Sequence, residues 1–582
     1  MKYDRFTSST FLNNFIRDVD TKAKLMQPSE ASQLREHAAQ TADNINQKYF
    51  RKMDSHLEKR EKVYFSKRRM EKAERAKQQF FSSVDQIVTQ STISNLREKL
   101  QGAEKVEWMK PQIFPRMNGD GFNVIVSPEK LQNLAFSGGG MMLLAYTSAL
   151  SELDKLGEFD HVKKVAGSSA GGLVSAAISV SLPFEDLDKL ITSMMKEGAL
   201  KTDEEVGKLY PQVSFSKSPV QFVGKMKGYG GNGEPLIKQA DTVIATRVAN
   251  YINQAKADND EDFNQAIVRY AAKSNRSVND INERLEILRS PNFRVDRSNK
   301  MVTFSDMDMM HGLAPKQFKQ IELTAYNAET ANGMLLNSRS TPDLPIAFAA
   351  RASMAHPALT SGVTFDSSLN IGNSKFTDGG IYSNLPVEAA FDDIKQAISE
   401  PKGGTGEDIE LGKRRAQTML FAFDEKGKSY ANSFLPPSAK ANNVKVSRLY
   451  QAFGVTPENR RHDVLKSHYS NKTTVFHGGL SVLGGGSDKK IVDHAKKDAT
   501  FNTLIQANNR TNEPALYQVD SIEQAYGLLS GEEKELLLKD GPPKREDYSS
   551  LPWEGEGKNA SYDAMTNLYN IALARRTEKE DQ

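Results

Sequence analysis

Between about residues 120 and 425, short apolar runs alternate with stretches of helical pattern, and this alternation limits the possible folds more than any other feature of the chain. LQNLAF (131–136) is followed by MMLLAYTSALSELDKLG, then by VKKVAG, then by LVSAAISVSL. A strand, a helix and a second strand in succession return the chain in the same direction. The order therefore predicts an α/β fold with a mostly parallel sheet covered by helices. Leu143, Tyr146, Leu150 and Leu153 recur at helical spacing, and Gly157 supplies a stop. Phe421-Ala422-Phe423 reads as the last core strand.

A chain of 582 residues exceeds what one hydrophobic core organises, so flanking regions are expected. From about 28 to 105 the sequence is rich in Gln, Glu, Lys, Arg and Ala, with Pro28 its only proline, which is a helical composition. The texture changes at Trp108-Met109-Lys110-Pro111. These shifts divide the chain into a helical N-terminal region (1–115), the α/β domain (116–430) and a mainly helical C-terminal region (431–582). The basic run from Lys59 to Phe81 reads as the solvated face of a bundle, with a membrane-surface or partner-binding helix left open. Residues 195–320, with a glycine cluster at Gly228–Gly233, read as an insertion or lid between the halves of the sheet. GGLSVLGGG (478–486) and DGPPKREDYSSLPWEGEG (540–557) are loops by composition, and no strand-to-helix context makes the first a nucleotide site. Near the end, Tyr562, Met565, Leu568, Tyr569 and Ala572 share one helical face, a stripe that reads as core more readily than as a ligand contact. With Leu551-Pro552-Trp553, that helix suits an interface, so truncation after about 430 is expected to leave a folded core that binds vesicles less well.

Composition removes several classes of chemistry. The absence of cysteine excludes disulfides, cysteine–zinc sites and a thiol nucleophile, leaving hydroxyl, carboxylate and histidine chemistry. No metal site is expected. No run approaches the roughly 20 apolar residues of a spanning helix, and the start MKYDRFTSSTFLNN lacks the apolar core of a secretory signal. A net charge of +3 gives no reason to expect a nucleic-acid partner.

Three segments carry chemistry. Gly167-Ser168-Ser169-Ala170-Gly171 is a G-x-S-x-G element set between a strand-like and a helix-like run, the context of a nucleophile elbow. Gly167 and Gly171 would let neighbouring backbone approach the strained serine, and the helix after Ser169 aims its free N–H groups and positive dipole end at it. Upstream, LQNLAF ends in Ser137-Gly138-Gly139-Gly140 and opens into a helical pattern, so backbone N–H groups there are free to converge as an oxyanion hole. Asp378-Gly379-Gly380 lies in KFTDGGIYSNLPVEAA, after a small-residue helix in LPIAFAARASMAHPAL (344–359) that ends near His356-Pro357.

In order, SGGG, GSSAG, ARASMAHP and DGGIYSNLP resemble the motifs of the patatin-like phospholipase family, over about 130–425. The resemblance implies a three-layer α/β/α domain that hydrolyses acyl esters of membrane phospholipids, as a phospholipase A, through a Ser–Asp dyad. Carried over by motif, Ser169 is the nucleophile, Asp378 the proton acceptor, and Gly138, Gly139 and Gly140 the oxyanion donors. Asn384 and Pro386 match the family's tail after the aspartate and shape that turn. No cofactor is implied. One departure stands out: where the family continues its loop as G-G-G-x-(Lys or Arg)-Gly, this chain has Met141-Met142-Leu143. A Ser–Asp–His triad would draw on His462, His468, His477 or His494, none of which sits in a recognised motif.

The layout, with helical regions on either side of the catalytic domain, resembles the branch of that family formed by bacterial effectors injected into host cells. This likeness implies secretion without a signal peptide, a secretion chaperone, peripheral attachment to host membranes and activation by a host protein such as ubiquitin or a small GTPase. Two other readings stay open: an inactive patatin-fold scaffold that binds a partner, and a housekeeping lipid acyl hydrolase of the cytoplasm with no host partner.

Overall fold

The computed structural model describes residues 8–50, 63–102, 110–116, 121–140, 143–196, 234–290, 301–330, 332–355, 362–364, 375–391, 406–423, 473–476, 489–512, 514–539, 541–548 and 556–580. Three helices open the chain: α1 (Ser8–Ala23), α2 (Pro28–Ile45) and α3 (Val63–Gly102). Pro28 sits in the first turn of α2, where its missing N–H costs no helical hydrogen bond. Phe15 meets Phe80 and Phe81 edge-on at 5.2 and 5.6 Å, which packs the last two apolar residues of the basic run into a bundle. Glu71, Lys72, Glu74 and Arg75 stay exposed, as a solvated helix face requires; residues 59–62 lie outside the described residues.

The central element is an eight-stranded sheet in the order β10-β9-β3-β4-β5-β8-β7, with β6 added on β5. In chain order its strands and helices are β3 (Asn133–Phe136), α4 (Leu143–Lys155), β4 (Lys164–Gly167), α5 (Ala170–Ser179), α6 (Phe184–Lys196), α7 (Glu234–Ala257), α8 (Glu261–Ser274), α9 (Val278–Arg289), α10 (Phe304–Leu313), β5 (Gln320–Asn327), β6 (Asn332–Leu336), α11 (Ile346–Ser353), β7 (Val363–Thr364), β8 (Lys375–Asp378), α12 (Gly406–Ala416), β9 (Thr418–Phe423) and β10 (Thr473–Phe476). Strands β10, β9, β3, β4 and β5 run parallel, as the alternation demands. β6 and β8 pair antiparallel with β5, and β7 antiparallel with β8. Side chains of the parallel strands alternate between two apolar layers. Leu134, Phe136, Met419 and Phe421 join the main core with α4 and α5, while Ala135, Leu420 and Ala422 pack against Leu385, Val387 and Phe391 on the other face.

Two expectations change here. The described part of the expected insertion or lid, residues 234–290 and 301–319, is an insertion between β4 and β5 whose helices pack on the main core. Ile244, Val248 and Ile252 of α7 belong to the main core, and Thr303 and Asp306 close a capping box at the start of α10 that Arg284 clamps through two bonds of 2.7 and 2.6 Å. The Gly228–Gly233 cluster lies outside the described residues. Nor does packing divide near 115 or 430. Strand β10 extends the main sheet, and helix α13 (Lys489–Asn512) lies along α4 with Ala495, Ala499 and Ala507 in the main core. Its Phe501 and Leu504 pack on Ile93 and Leu96 of α3.

A second sheet joins residues about 400 apart in sequence: β1 (Gln112–Pro115), β2 (Phe122–Val126) and β11 (Ala515–Val519). Helices α14 (Ile522–Leu528), α15 (Gly531–Lys539) and α16 (Glu556–Glu580) cover it. Met565, Leu568 and Ala572 of α16 are buried in that core, so the apolar stripe of the last helix is not an open membrane-binding face. Leu551-Pro552-Trp553 lies outside the described residues. Among the described residues, no helix is long and apolar enough to cross a membrane.

This packing reverses the expected outcome of truncation. Phe501, Leu504, Val519, Leu537, Met565 and Leu568 are all nearly inaccessible to solvent. At about 2 kcal/mol each their burial rivals the whole net stability of a typical domain. We predict that a chain ending at Phe423 loses its cooperative thermal transition; a melt as sharp and as high as that of the full chain would show the opposite.

Candidate active site

Strand β4 ends at Gly167 and α5 starts at Ala170, which leaves two residues to reverse the chain. Ser169 takes the strain, with φ +50° and ψ −122°, a conformation that costs a non-glycine residue about 1–3 kcal/mol. Close backbone contacts hold it there. A Cβ on Gly171 would run into the carbonyls of Phe136 and Ser137 at the end of β3, and one on Gly167 would meet the Gly171 carbonyl. The two glycines of the motif are thus explained by contact as much as by conformational freedom.

The Ser169 hydroxyl donates to Asp378 Oδ2 at 2.7 Å. Asp378 ends β8 and lies opposite Ala325 of β5, so the dyad spans strands β4, β5 and β8. Its other oxygen accepts the Gly380 N–H at 2.7 Å, and its own N–H donates to the Ala355 carbonyl at 3.1 Å. Burial pushes the carboxyl up to about pKa 6, against the hydrogen bonds from Ser169 and Gly380 that pull it down. It is therefore ionised at neutral pH and basic enough to accept a proton. No histidine among the described residues hydrogen-bonds to either member. His462, His468 and His477 lie outside those residues, as does the side chain of His494 on α13.

The glycine loop follows β3 directly. Gly138 passes so close to the elbow that a Cβ would sit 2.9 Å from that of Ser169. Its N–H donates to the Asn384 carbonyl at 3.0 Å and its carbonyl accepts from the Asn384 side chain at 3.3 Å. Gly138 therefore departs from the expectation that all three glycines offer free donors: it anchors the loop. Among the described residues, the N–H groups of Gly139, Gly140 and Ala170 meet no acceptor. Gly140 has φ +54°, a left-handed conformation suited to glycine. No grouping of side chains suited to hold a metal occurs among the described residues.

Residues 134–391 match a family model described as patatin-like phospholipase, a span that contains the glycine loop, Ser169 and Asp378. This segment belongs to that family. Among solved structures, VipD from Legionella pneumophila aligns at 14% identity over 83% of this chain and 91% of that one, with a TM-score of 0.40. The ExoU–SpcU complex from the type III secretion system of Pseudomonas aeruginosa aligns at 16% identity over 81% of this chain and 64% of that one, with a TM-score of 0.43. No curated protein matches the sequence.

Within the patatin-like segment the loop's departure from the family has a partial structural reason. Leu143, which stands where the family has a glycine, begins α4 and is fully buried in the main core. Met141 and Met142 lie outside the described residues. One site residue was overlooked in the motifs. Ser353, in the ARASMAHP segment, accepts the backbone N–H of Ser169 at 2.9 Å. Its motif was visible, but nothing in the sequence says that the hydroxyl serves a backbone group.

Burial of Asp378 has a thermodynamic sign. Its folded pKa, about 6, exceeds its ordinary 3.8, so the native state holds the proton more tightly. The penalty for ionising it is absent below pH 4, grows as pH rises towards 6 and is complete above it. Asp378→Asn should therefore be more stable than the parent at pH 8, by at most about 3 kcal/mol, with the gap closing as pH falls through 6. Denaturant melts at several pH values would read this, and a gap independent of pH would contradict it.

Proposed function

We propose that this protein is a phospholipase A that cleaves acyl esters of membrane phospholipids through a Ser–Asp dyad. The observation that carries the reading is the 2.7 Å hydrogen bond from Ser169 to the buried Asp378, beside backbone N–H groups that meet no acceptor among the described residues. Asp378 takes the proton from the Ser169 hydroxyl as Oγ attacks the ester carbonyl. Negative charge builds on the carbonyl oxygen and is met by the N–H groups of Gly139, Gly140 and Ala170, the last at the positive end of α5. Collapse expels the lysolipid alcohol, which Asp378 protonates, and water then releases the fatty acid from Ser169 by the same steps in reverse. The chemistry of this cycle requires no cofactor.

We also propose that the enzyme is an effector delivered into a host cell, carried by a secretion chaperone and switched on at membranes by a host protein such as ubiquitin or a small GTPase. The helical regions on both sides of the catalytic domain support this reading. A second reading, an inactive scaffold, is favoured by Met141-Met142-Leu143 in place of the family's basic residue and glycine. Turnover of phospholipid vesicles, with and without host-cell extract, separates the readings. Activity only with extract supports the effector, activity without it a housekeeping hydrolase of the cytoplasm, and none in either a scaffold.

In that assay Ser169→Ala and Asp378→Asn are each expected to abolish hydrolysis with circular dichroism unchanged. The double variant should be scarcely worse, because losses within one catalytic unit are non-additive; additive losses would mean the two do not act together. Because the base must be ionised, turnover by the parent should rise with pH to a plateau, with a midpoint near 6 set by Asp378. A midpoint near 4 would assign the base elsewhere.

A further inference from the structure

We propose that Ser353 is a positioning residue for the nucleophile, acting through the Ser169 backbone rather than through substrate. The inference rests on the assignment of Ser169 as the attacking group. Ser353 ends α11, a helix whose Ala347, Ala349, Ala350 and Ala352 are all buried, and it is itself inaccessible to solvent. These small side chains bring α11 against α5, where a Cβ on Gly172 would sit 3.2 Å from Ser353 Oγ. From this position the Ser353 hydroxyl accepts the Ser169 N–H at 2.9 Å. Two residues later, the Ala355 carbonyl accepts the Asp378 N–H at 3.1 Å.

One short segment, 353–355, therefore grips the main chain of both dyad members. The Ser169 end of that grip matters more, because Ser169 occupies a backbone region that a serine rarely adopts and needs outside contacts to stay there. Loss of the acceptor leaves the N–H unpaired and frees the backbone to relax, which turns the hydroxyl away from its 2.7 Å contact with Asp378. A displacement of this kind reduces the rate of attack without altering substrate binding.

Three variants of the full chain separate positioning from packing. Ser353→Ala removes the acceptor and leaves space, Ser353→Cys fills the space with a weak acceptor, and Ser353→Thr keeps the hydroxyl. Each is compared with the parent by kcat and KM on phosphatidylcholine vesicles with host-cell extract, and by the rate at which a fluorophosphonate probe labels Ser169. Positioning predicts that Ser353→Cys and Ser353→Ala lose about 10- to 100-fold in kcat and labelling rate at unchanged KM. Ser353→Thr should stay within a few-fold of the parent, and the pH midpoint near 6 should not move. If Ser353→Ala does not fold, Cys against Thr still decides. Ser353→Cys at the parental rate, or Cys and Thr equally impaired, overturns the proposal and leaves Ser353 a packing residue. Ser169→Ala is the separate control: if it still turns over and takes the label, the nucleophile assignment fails, whatever the Ser353 variants do.

Discussion

The first turn of α5 rests directly on the carbonyl end of β3, and the candidate site depends on that contact. Gly171 touches the carbonyls of Phe136 and Ser137, and Gly138 passes beside Ser169. With no side chains between them, the glycine loop and the serine elbow are set against each other by close backbone packing. Placement by backbone is stiff, since moving either group requires moving a strand or a helix. It also places the donors before charge develops, so no reorganisation is needed when it does.

Asp378 is placed with similar economy. Asp378 arrives on a strand antiparallel to β5, and Gly379 and Gly380 allow the following turn to press against Thr324 and Asn384. Asn384 then reaches back to hold Gly138 through both its main chain and its side chain. The turn after the base and the loop after β3 are thus one hydrogen-bonded unit. Desolvation of the carboxylate in this unit costs stability at neutral pH and raises its basicity in the same stroke. Under the proposed dyad, that trade is how an aspartate would serve without an imidazole: an exposed carboxylate near pKa 4 would be a poor acceptor for a serine proton.

Much of this was legible in the sequence because the signals are local. The alternation of apolar runs and helical pattern marked β3, α4, β4 and α5 in order, and four ordered motifs marked Ser169 and Asp378. Less legible was whatever depends on distant partners. Strand β11 pairs with β2 across about 400 residues, and α13 packs on α4 and α3. Neither contact leaves a local pattern, so the C-terminal region read as separable. The stripe on α16 read correctly as one face, but amphipathicity does not say whether the covering surface is lipid or protein. A glycine run such as Gly138–Gly140 shows that donors are unobstructed, not that they are unoccupied, and the Gly138 N–H is taken by Asn384. The role of Ser353 was hidden because a hydroxyl that serves a backbone N–H looks like any serine at a helix end.

The distant packing bears on the site through α4. This helix begins at Leu143, directly after the glycine loop region, and both flanking regions are tied to it. Arg97 of α3 forms a two-bond ion pair with the buried Glu152 of α4, at 2.9 and 2.6 Å. Lys496 of α13 binds Asp188 of α6 at 2.6 Å, and Asp188 also accepts the Thr147 hydroxyl of α4 at 3.0 Å. At the loop end of the same helix, the Tyr146 hydroxyl donates to the Ser137 carbonyl at 2.7 Å, one residue before Gly138. The helices before and after the patatin-like segment are therefore linked to the start of the glycine loop through α4. Glu152 is buried while Arg97 is partly exposed, and Lys155 also pairs with Glu152, so the ion pair is a moderate tie between α3 and α4. The flanking regions are consequently part of the physical environment of the catalytic loop, and α4 is the path by which their position reaches it.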